Sequence, residues 1–513
     1  MTSQITQPER DPARQLPPSL VKIISVVMLG ALMMQLDMTM TTIATRTLVR
    51  DFHSTLSTVQ WVTTGYMLAM AATIPLAGWA LERFGARRVW TTTITVFLVG
   101  SVLCGLAWSS GTLVAFRVLQ GLGAGMVMPV GQTVLVQAAP PERFGRVMAA
   151  MGVPAMVGPV LGPILGGVLV TDLSWRWIFY INVPVCLAAL ALSGRALPSA
   201  AAPGRSRLDW LGLALLSPGC AAIVFGLAQS NQYQGFGNAH VLVPLAAGIV
   251  LLAAFCLNAL RIRHALIDLR LFAGRGFASA SATMFVSGFV LFGAMGALPL
   301  YYQIARGDSA QRAGLLLIPL GIGMGLSLFA AGRLADRIAP RTIALAGLVF
   351  TVAGTFVYTQ LAAGTSQLLL GFAQVCSGIG TGAALVPIMS AGFRGLEPAA
   401  VPRASSSIRI MQQLGGSFGS ATLFIIVQHE LTTHARNAAG LAAAFGATFW
   451  WVLAFAGAML IPVLFLPGRG RGAGVRESGR QSAEASCEDR RGQSAEASLG
   501  NEPGNDAERR DAR

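Results

Sequence analysis

From about residue 20 onward the chain is a succession of long apolar runs separated by short polar stretches. Runs of roughly 20 residues, enough to cross ~30 Å of hydrocarbon as helix, fall at about 21–46, 57–80, 88–108, 112–137, 147–170 and 177–195. A basic, Pro/Ala-rich linker from Gly194 to Arg207 follows, then two more runs at about 210–229 and 241–260. After the polar stretch Arg261–Arg270 come six others, near 276–303, 312–332, 342–362, 366–390, 405–428 and 444–466. The pattern predicts an all-α integral membrane protein with fourteen spans. It divides the chain into a polar tail at 1–19, a six-span bundle at 20–195, linkers with two inserted spans at 196–275, a second six-span bundle at 276–466 and a tail at 467–513.

Composition sharpens this picture. The chain is 54% hydrophobic and 12% charged, with a mean hydropathy of +0.61, whereas soluble domains carry about 25% charged residues. The net charge of +15 would suggest nucleic acid in a soluble protein. Here the arginines collect between apolar runs, as cytoplasmic membrane flanks do. An N-terminus in the cytoplasm places Arg83, Arg87, Arg88, Arg143, Arg146, Arg205, Arg207, Arg261, Arg263, Arg333, Arg337, Arg341, Arg394 and Arg403 inside. The loops left outside are nearly bare of Arg and Lys, with Arg46 and Arg50 on the minority side. Both termini are expected to be cytoplasmic. The first run ends in Asp37 and threonines, not in a small-residue cleavage site, and reads as a span. Cys104, Cys186, Cys220, Cys256 and Cys376 fall in apolar runs without a C-x-x-C pair, which points to packing thiols. The tail repeats Gln-Ser-Ala-Glu-Ala-Ser at 481–486 and 493–498 and is expected to be disordered.

Two patterns carry more than hydropathy. In Gly152–Gly167, Gly158, Gly162 and Gly166 recur every four residues, so they line one face and allow a close backbone approach. Pro154, Pro159 and Pro163 in the same stretch would break a water-exposed helix, but inside a bilayer neighbours satisfy the released carbonyls. The second pattern is a duplication. Gly78-Trp-Ala-Leu-Glu-Arg-Phe-Gly-Ala-Arg-Arg88 follows the second span, and Gly332-Arg-Leu-Ala-Asp-Arg-Ile-Ala-Pro-Arg341 follows the second span of the last six. Matching Gly, acid and Arg positions in corresponding places are the mark of a repeated six-span unit.

On these residues the chain resembles the major facilitator superfamily, in its branch of fourteen-span drug:proton antiporters, over nearly all of 20–466. Gly78–Arg88 looks like the family's loop signature and Arg117-Val-Leu-Gln-Gly-Leu-Gly-Ala-Gly125 like its fourth-span motif. Gly158, Pro159, Gly162, Pro163, Gly166 and Gly167 resemble the fifth-span antiporter motif. Leu36–Ile43, Trp175–Pro184 and Gln413–Ser417 resemble further motifs of the branch. There are departures: the loop acid is Glu82 rather than Asp, Ala86 follows Gly85 before Arg87, Thr42 stands where the branch usually has Asn, and Ala339 replaces a Gly.

Asp37 is the one carboxylate placed deep in a span. An unpaired carboxylate in low dielectric resists ionisation and so can take up and release a proton, which suits proton or substrate coupling; a structural hydrogen bond to a neighbouring helix is the alternative. Arg117 matches the family's coupling arginine; by position it is alternatively a snorkelling cation near the interface. The resemblance also implies a conformational latch at Gly78, Glu82, Arg83, Gly85, Arg87 and Arg88, with Asp336 and Arg337 in the second copy. In it the acid meets arginines and a helix N-terminus of the opposite half. Met33, Trp61, Tyr66, Gln120, Gln132, Tyr301, Tyr302 and Gln412 are candidates for a substrate cavity, since aromatic and Met side chains suit adaptable apolar pockets. Tyr301 and Tyr302 also fit an interfacial aromatic belt.

The function these features imply is secondary export of small amphipathic compounds against protons. An ATP-driven pump within this chain is excluded because Lys22, the sole lysine, is in no P-loop. An intramembrane enzyme finds no support in the five histidines, His53, His240, His264, His429 and His434, which are read as loop residues. An uptake permease, or a narrow exporter of a metabolite or siderophore, is the alternative on the same fold. Neither cofactor, metal nor nucleic acid is implied; the expected partners are a small-molecule substrate, protons and the bilayer, with the chain acting as a monomer.

Overall fold

The computed structural model describes residues 17–140, 147, 150, 152–197, 208–233, 235–262, 265–335, 338–362, 364–397, 400–434 and 438–466. Among them there is helix and no strand. The expectations for Asp336, Arg337 and the 467–513 tail lie outside the described residues.

In chain order the helices are α1 (Pro18–Asp51), α2 (Leu56–Thr73), α3 (Leu76–Phe84), α4 (Ala86–Gly105), α5 (Ser110–Ala138), α6 (Gly152–Val168), α7 (Trp177–Tyr180) and α8 (Asn182–Ala196). Then come α9 (Trp210–Gln232), α10 (Ala239–Arg261), α11 (Arg275–Leu300), α12 (Ala310–Leu315), α13 (Ile318–Ala335) and α14 (Pro340–Thr359). The last are α15 (Gln367–Phe393), α16 (Val401–His434), α17 (Ala438–Ala458) and α18 (Leu460–Leu464). Polar caps set the starts of several. The Ser109 hydroxyl accepts from the Thr112 amide while Thr112 returns a bond to the Ser109 amide, a capping box opening α5. Asp209 accepts from the Gly212 amide at the start of α9, and Thr55 from that of Thr58 at the start of α2.

Among the described residues twelve helices are long and apolar enough to cross a membrane, or thirteen when the bent pair Trp61–Thr73 and Leu76–Phe84 is one span. That pair, read from the sequence as one run at 57–80, turns by 54° where Pro75 separates α2 from α3. The run at 147–170 becomes the 17-residue α6 and a π turn at Leu169–Leu173, with much of its beginning outside the described residues. His240 belongs to α10, and His429 and His434 to α16, rather than to loops, because polar residues ride on helix ends as well as between them.

Within the first group α1 packs on α6 and α8, and α5 lies between α2 and α4. In the second, α15 lies between α13 and α14, and α11 runs along α16. The groups meet where α6 touches α13 and where α16 touches α3 and α5. The α9–α10 hairpin packs through α9 on both α2 and α16, so the inserted helices lie against one seam between the groups.

Candidate functional site

Five helices of the first group contribute to the cluster around one buried carboxylate. Asp37 of α1 is 0% exposed, and the Arg117 guanidinium of α5 donates from NH1 to its Oδ2 at 2.6 Å. Its Oδ1 accepts from Gln120 Nε2 at 2.9 Å and from Asn182 Nδ2 of α8 at 3.0 Å. Ser101 of α4 accepts from the same two amides, at 2.8 and 3.0 Å. Arg117 also donates to Gln120 Oε1 at 2.7 Å and, from Nε, to the Val62 carbonyl of α2 at 3.2 Å. Its guanidinium lies 4.0 Å from the centre of the Tyr66 ring and 5.7 Å from that of Phe179. Thr41 spends its hydroxyl on the Asp37 carbonyl.

Two readings of the sequence are corrected by this geometry. Asp37 is not unpaired: it meets a full positive charge and two amides, because its partners come from other helices and no periodicity along α1 reveals them. Arg117 does not snorkel to an interface; it is 0% exposed. A buried ion pair is favoured when hydrogen bonds take up its remaining valences, and here Gln120, Asn182 and the Val62 carbonyl take up several of them. One Arg117 nitrogen, NH2, and the Tyr66 hydroxyl are buried and have no hydrogen-bond partner among the described residues. Asn182 and Ser101 were not singled out from the sequence; Asn182 stands inside the Trp175–Pro184 motif, which was the available signal.

At one end of the bundle the groups are joined by an ion pair. Glu82 of α3 receives Arg403 of α16 in a fork, Nε to Oε1 at 2.8 Å and NH2 to Oε2 at 2.8 Å. Arg403 stands in the first turn of α16, so the carboxylate also meets the positive end of that helix. Gly78 lies against the backbone of Pro402 and Arg403. Gly85, at φ 79°, makes the sharp turn from α3 into α4, a conformation that a side chain would oppose. Arg83, Arg87 and Arg88 are exposed and take no part in the Glu82 pair.

The glycine stripe faces α1. A Cβ at Gly158 would meet Gln35, one at Gly162 would meet Thr39, and one at Gly166 would meet Met40. Thr39 donates to the Gly158 carbonyl at 3.3 Å across this seam. Gly167 is half-buried, and the side chains of Pro159 and Pro163 lie outside the described residues.

The candidate cavity residues do not gather in one place. Tyr66 and Gln120 belong to the Asp37 cluster. Gln132 contacts Met389 of α15, and Gln412 accepts from Arg409 at 2.7 Å, both where the two groups face each other. Met33 is enclosed in the first group's core with Cys186 against its sulfur. Trp61 is 42% exposed and packs its ring 5.5 Å from Phe225 of α9. Tyr301 and Tyr302 are buried in the second group's core, where Tyr302 accepts from Gln374 at 2.9 Å, so they form no exposed belt. Residue type speaks to burial but not to which neighbour a helix face meets. A small apolar cavity, about 40 Å³, sits inside the second group between Val290, Leu317, Thr351, Tyr358 and Phe449. It lies apart from the charged cluster. Among the described residues no group of His, Cys, Asp and Glu is placed to hold a metal.

Comparison with known proteins gives these helices a setting. Residues 27–420 match the model of the Major Facilitator Superfamily. The chain is 40% identical over 414 residues to a "Multidrug resistance protein B homolog" of Mycobacterium tuberculosis, covering 80% of this chain and 77% of that protein. It is 29% identical to the "Multidrug export protein EmrB" of Haemophilus influenzae, over 83% of this chain and 84% of that one. The crystal structure of the human organic anion transporter MFSD10 superposes with a TM-score of 0.60 at 16% identity, covering 88% of this chain and 100% of that one. At that identity the likeness is one of fold.

Proposed function

The chain belongs to the major facilitator superfamily, and from this we propose that it exports small amphipathic compounds in exchange for protons, by alternating access of its two groups of helices. It is placed, in this reading, as a monomer in a bacterial cell membrane with both termini cytoplasmic, in the fourteen-span branch. The arginine distribution along the sequence supports the orientation, and the α9–α10 hairpin between the groups supports the branch. The relatives named for multidrug resistance and export support the substrate class.

The observation that carries proton coupling is the closed cluster around Asp37. A proton on Asp37 removes the charge that holds Arg117, and a buried arginine without its counter-charge is unfavourable by about 3–5 kcal/mol. Protonation therefore favours a rearrangement that gives Arg117 water or another partner. Deprotonation restores the pair and the closed form. Glu82 and Arg403 hold the cytoplasmic end shut in the same conformation, which makes it the form whose opening faces outward.

The test is efflux of a lipophilic dye from proteoliposomes under an imposed pH gradient, wild type against Asp37→Asn. Gradient-driven efflux should fall at least tenfold in the variant, about 1.4 kcal/mol or more, while slow equilibration without a gradient persists. Gradient-driven efflux kept at the wild-type rate would remove Asp37 from coupling.

A further inference from the structure

A second arginine inside an apolar span has no carboxylate to meet. Arg409 lies eight residues into α16, ~12 Å along the axis from its first residue, within the span Val401–Thr433. Among the described residues its one hydrogen bond goes from NH1 to Gln412 Oε1 of its own helix. No ion pair among them involves it. Arg117 and Arg403 are both matched to carboxylates, whereas Arg409 is half-buried and keeps most of its five N–H donors. An ionised group within a span is unfavourable unless it faces water, a partner or a ligand.

Unspent polar atoms accompany it. The Tyr66 hydroxyl, on α2 of the opposite group, is fully buried and has no hydrogen-bond partner among the described residues. Ser405, one turn before Arg409 on the same face of α16, is 0% exposed with its hydroxyl likewise unpartnered. Ile410, next to Arg409, packs in one apolar cluster with Ala71 of α2, so this stretch of α16 faces the helix that carries Tyr66. A guanidinium with unspent donors beside such a cluster matches a planar anion on an apolar body.

Resting on the transport reading, we propose that Arg409, with Tyr66, Ser405 and Gln412, forms an anion subsite between the two groups, through which the transporter accepts amphipathic carboxylates and sulfonates. Tyr66 carries Arg117 on its ring face, so the subsite shares a residue with the Asp37 cluster.

Three fluorescent probes of one shape test this: pyrenebutyrate, pyrenebutanol and pyrenebutyl-trimethylammonium. Their binding is measured to the full chain in nanodiscs of zwitterionic lipid, with empty discs subtracted so that no anionic headgroup competes. The wild type should bind the carboxylate about tenfold or more tighter than the alcohol. Arg409→Gln should abolish that preference and leave alcohol binding within about twofold, and Arg409→Lys should restore most of it. Equal affinity of the wild type for carboxylate and alcohol overturns the subsite whatever the variants do. So does a carboxylate preference that survives Arg409→Gln, or an equal loss of all probes in a folded Arg409→Gln. A wild type that binds pyrenebutyrate through Arg409 yet drives no efflux keeps the subsite and overturns the transport reading; efflux without carboxylate preference does the reverse.

Discussion

Asp37 and Arg117 stand 80 positions apart in the chain and 2.6 Å apart in the fold, and the residues around them decide what the pair can do. Asn182 donates to both Asp37 and Ser101, so it ties α8 to α1 and α4 through one amide. Replacing it by Ala leaves Oδ1 with Gln120 alone and Ser101 with one donor fewer. Asn182→Ala should therefore lower stability by about 1–3 kcal/mol, the cost of an under-satisfied buried polar group. Thermal unfolding in detergent would show it as a reduced Tm, and an unchanged Tm would mean that Asn182 carries none of the cluster. Arg117→Lys tests a different property: one ammonium cannot reach Asp37, Gln120 and the Val62 carbonyl from a planar fork. That variant should fold and lose at least tenfold of gradient-driven efflux, about 1.4 kcal/mol; efflux at the wild-type rate would show that charge alone suffices. Both members of the pair were legible in the sequence, Asp37 as an acid in a span and Arg117 by resemblance, but as separate groups. Hydropathy and helical spacing report on one helix at a time, and the pairing lives between helices. Arg409 was legible by the criterion that picked out Asp37, a charge inside the run at 405–428, but was not singled out from the sequence.

Helix patterns were legible to the extent that apolar length decides them. The runs in the second half correspond closely to α11 through α18, where hydrophobic length and helix coincide. The bend between α2 and α3 and the π turn after α6 were not, because backbone irregularity inside a bilayer is set by neighbouring helices as much as by Pro75 or the glycines. The stripe Gly158, Gly162 and Gly166 gave its spacing directly, and the structure supplies the surface it meets, Gln35, Thr39 and Met40 of α1. Without a hydrophobic drive between helices in lipid, such a seam holds by close packing. A methyl group at Gly162 meets the Thr39 side chain, so Gly162→Ala should destabilise the protein by about 1–3 kcal/mol through overpacking. Thr39→Ala in the same chain makes room and should recover most of that loss, a coupling that a double-mutant cycle of Tm values reads directly. Additive effects of the two substitutions would show that Gly162 and Thr39 do not press on each other.

Across the whole molecule, α16 is the helix on which the two groups depend. It packs along α11, touches α3, α5 and α9, and carries Arg403 at its start and Arg409 two turns further in. A rigid-body movement of one group against the other must therefore break the Glu82–Arg403 fork. Both side chains are about one-fifth exposed, 18% for Glu82 and 20% for Arg403, so the pair is neither a surface contact of little weight nor a lock. A partly shielded bidentate pair at a helix N-terminus is worth about 1 kcal/mol, which changes a two-state population about fivefold. Ser407, one turn beyond Arg403 and 1% exposed, reports on that end of the molecule when changed to Cys in a cysteine-free background. Glu82→Gln should raise its labelling by a membrane-impermeant maleimide about fivefold. The exchange of both charges, Glu82→Arg with Arg403→Glu, should return the rate toward that of the unlatched protein's parent, because the fork re-forms with its polarity reversed. Labelling that Glu82→Gln leaves unchanged would assign the closure of this end to the apolar contacts of α16 with α3 and α5 alone.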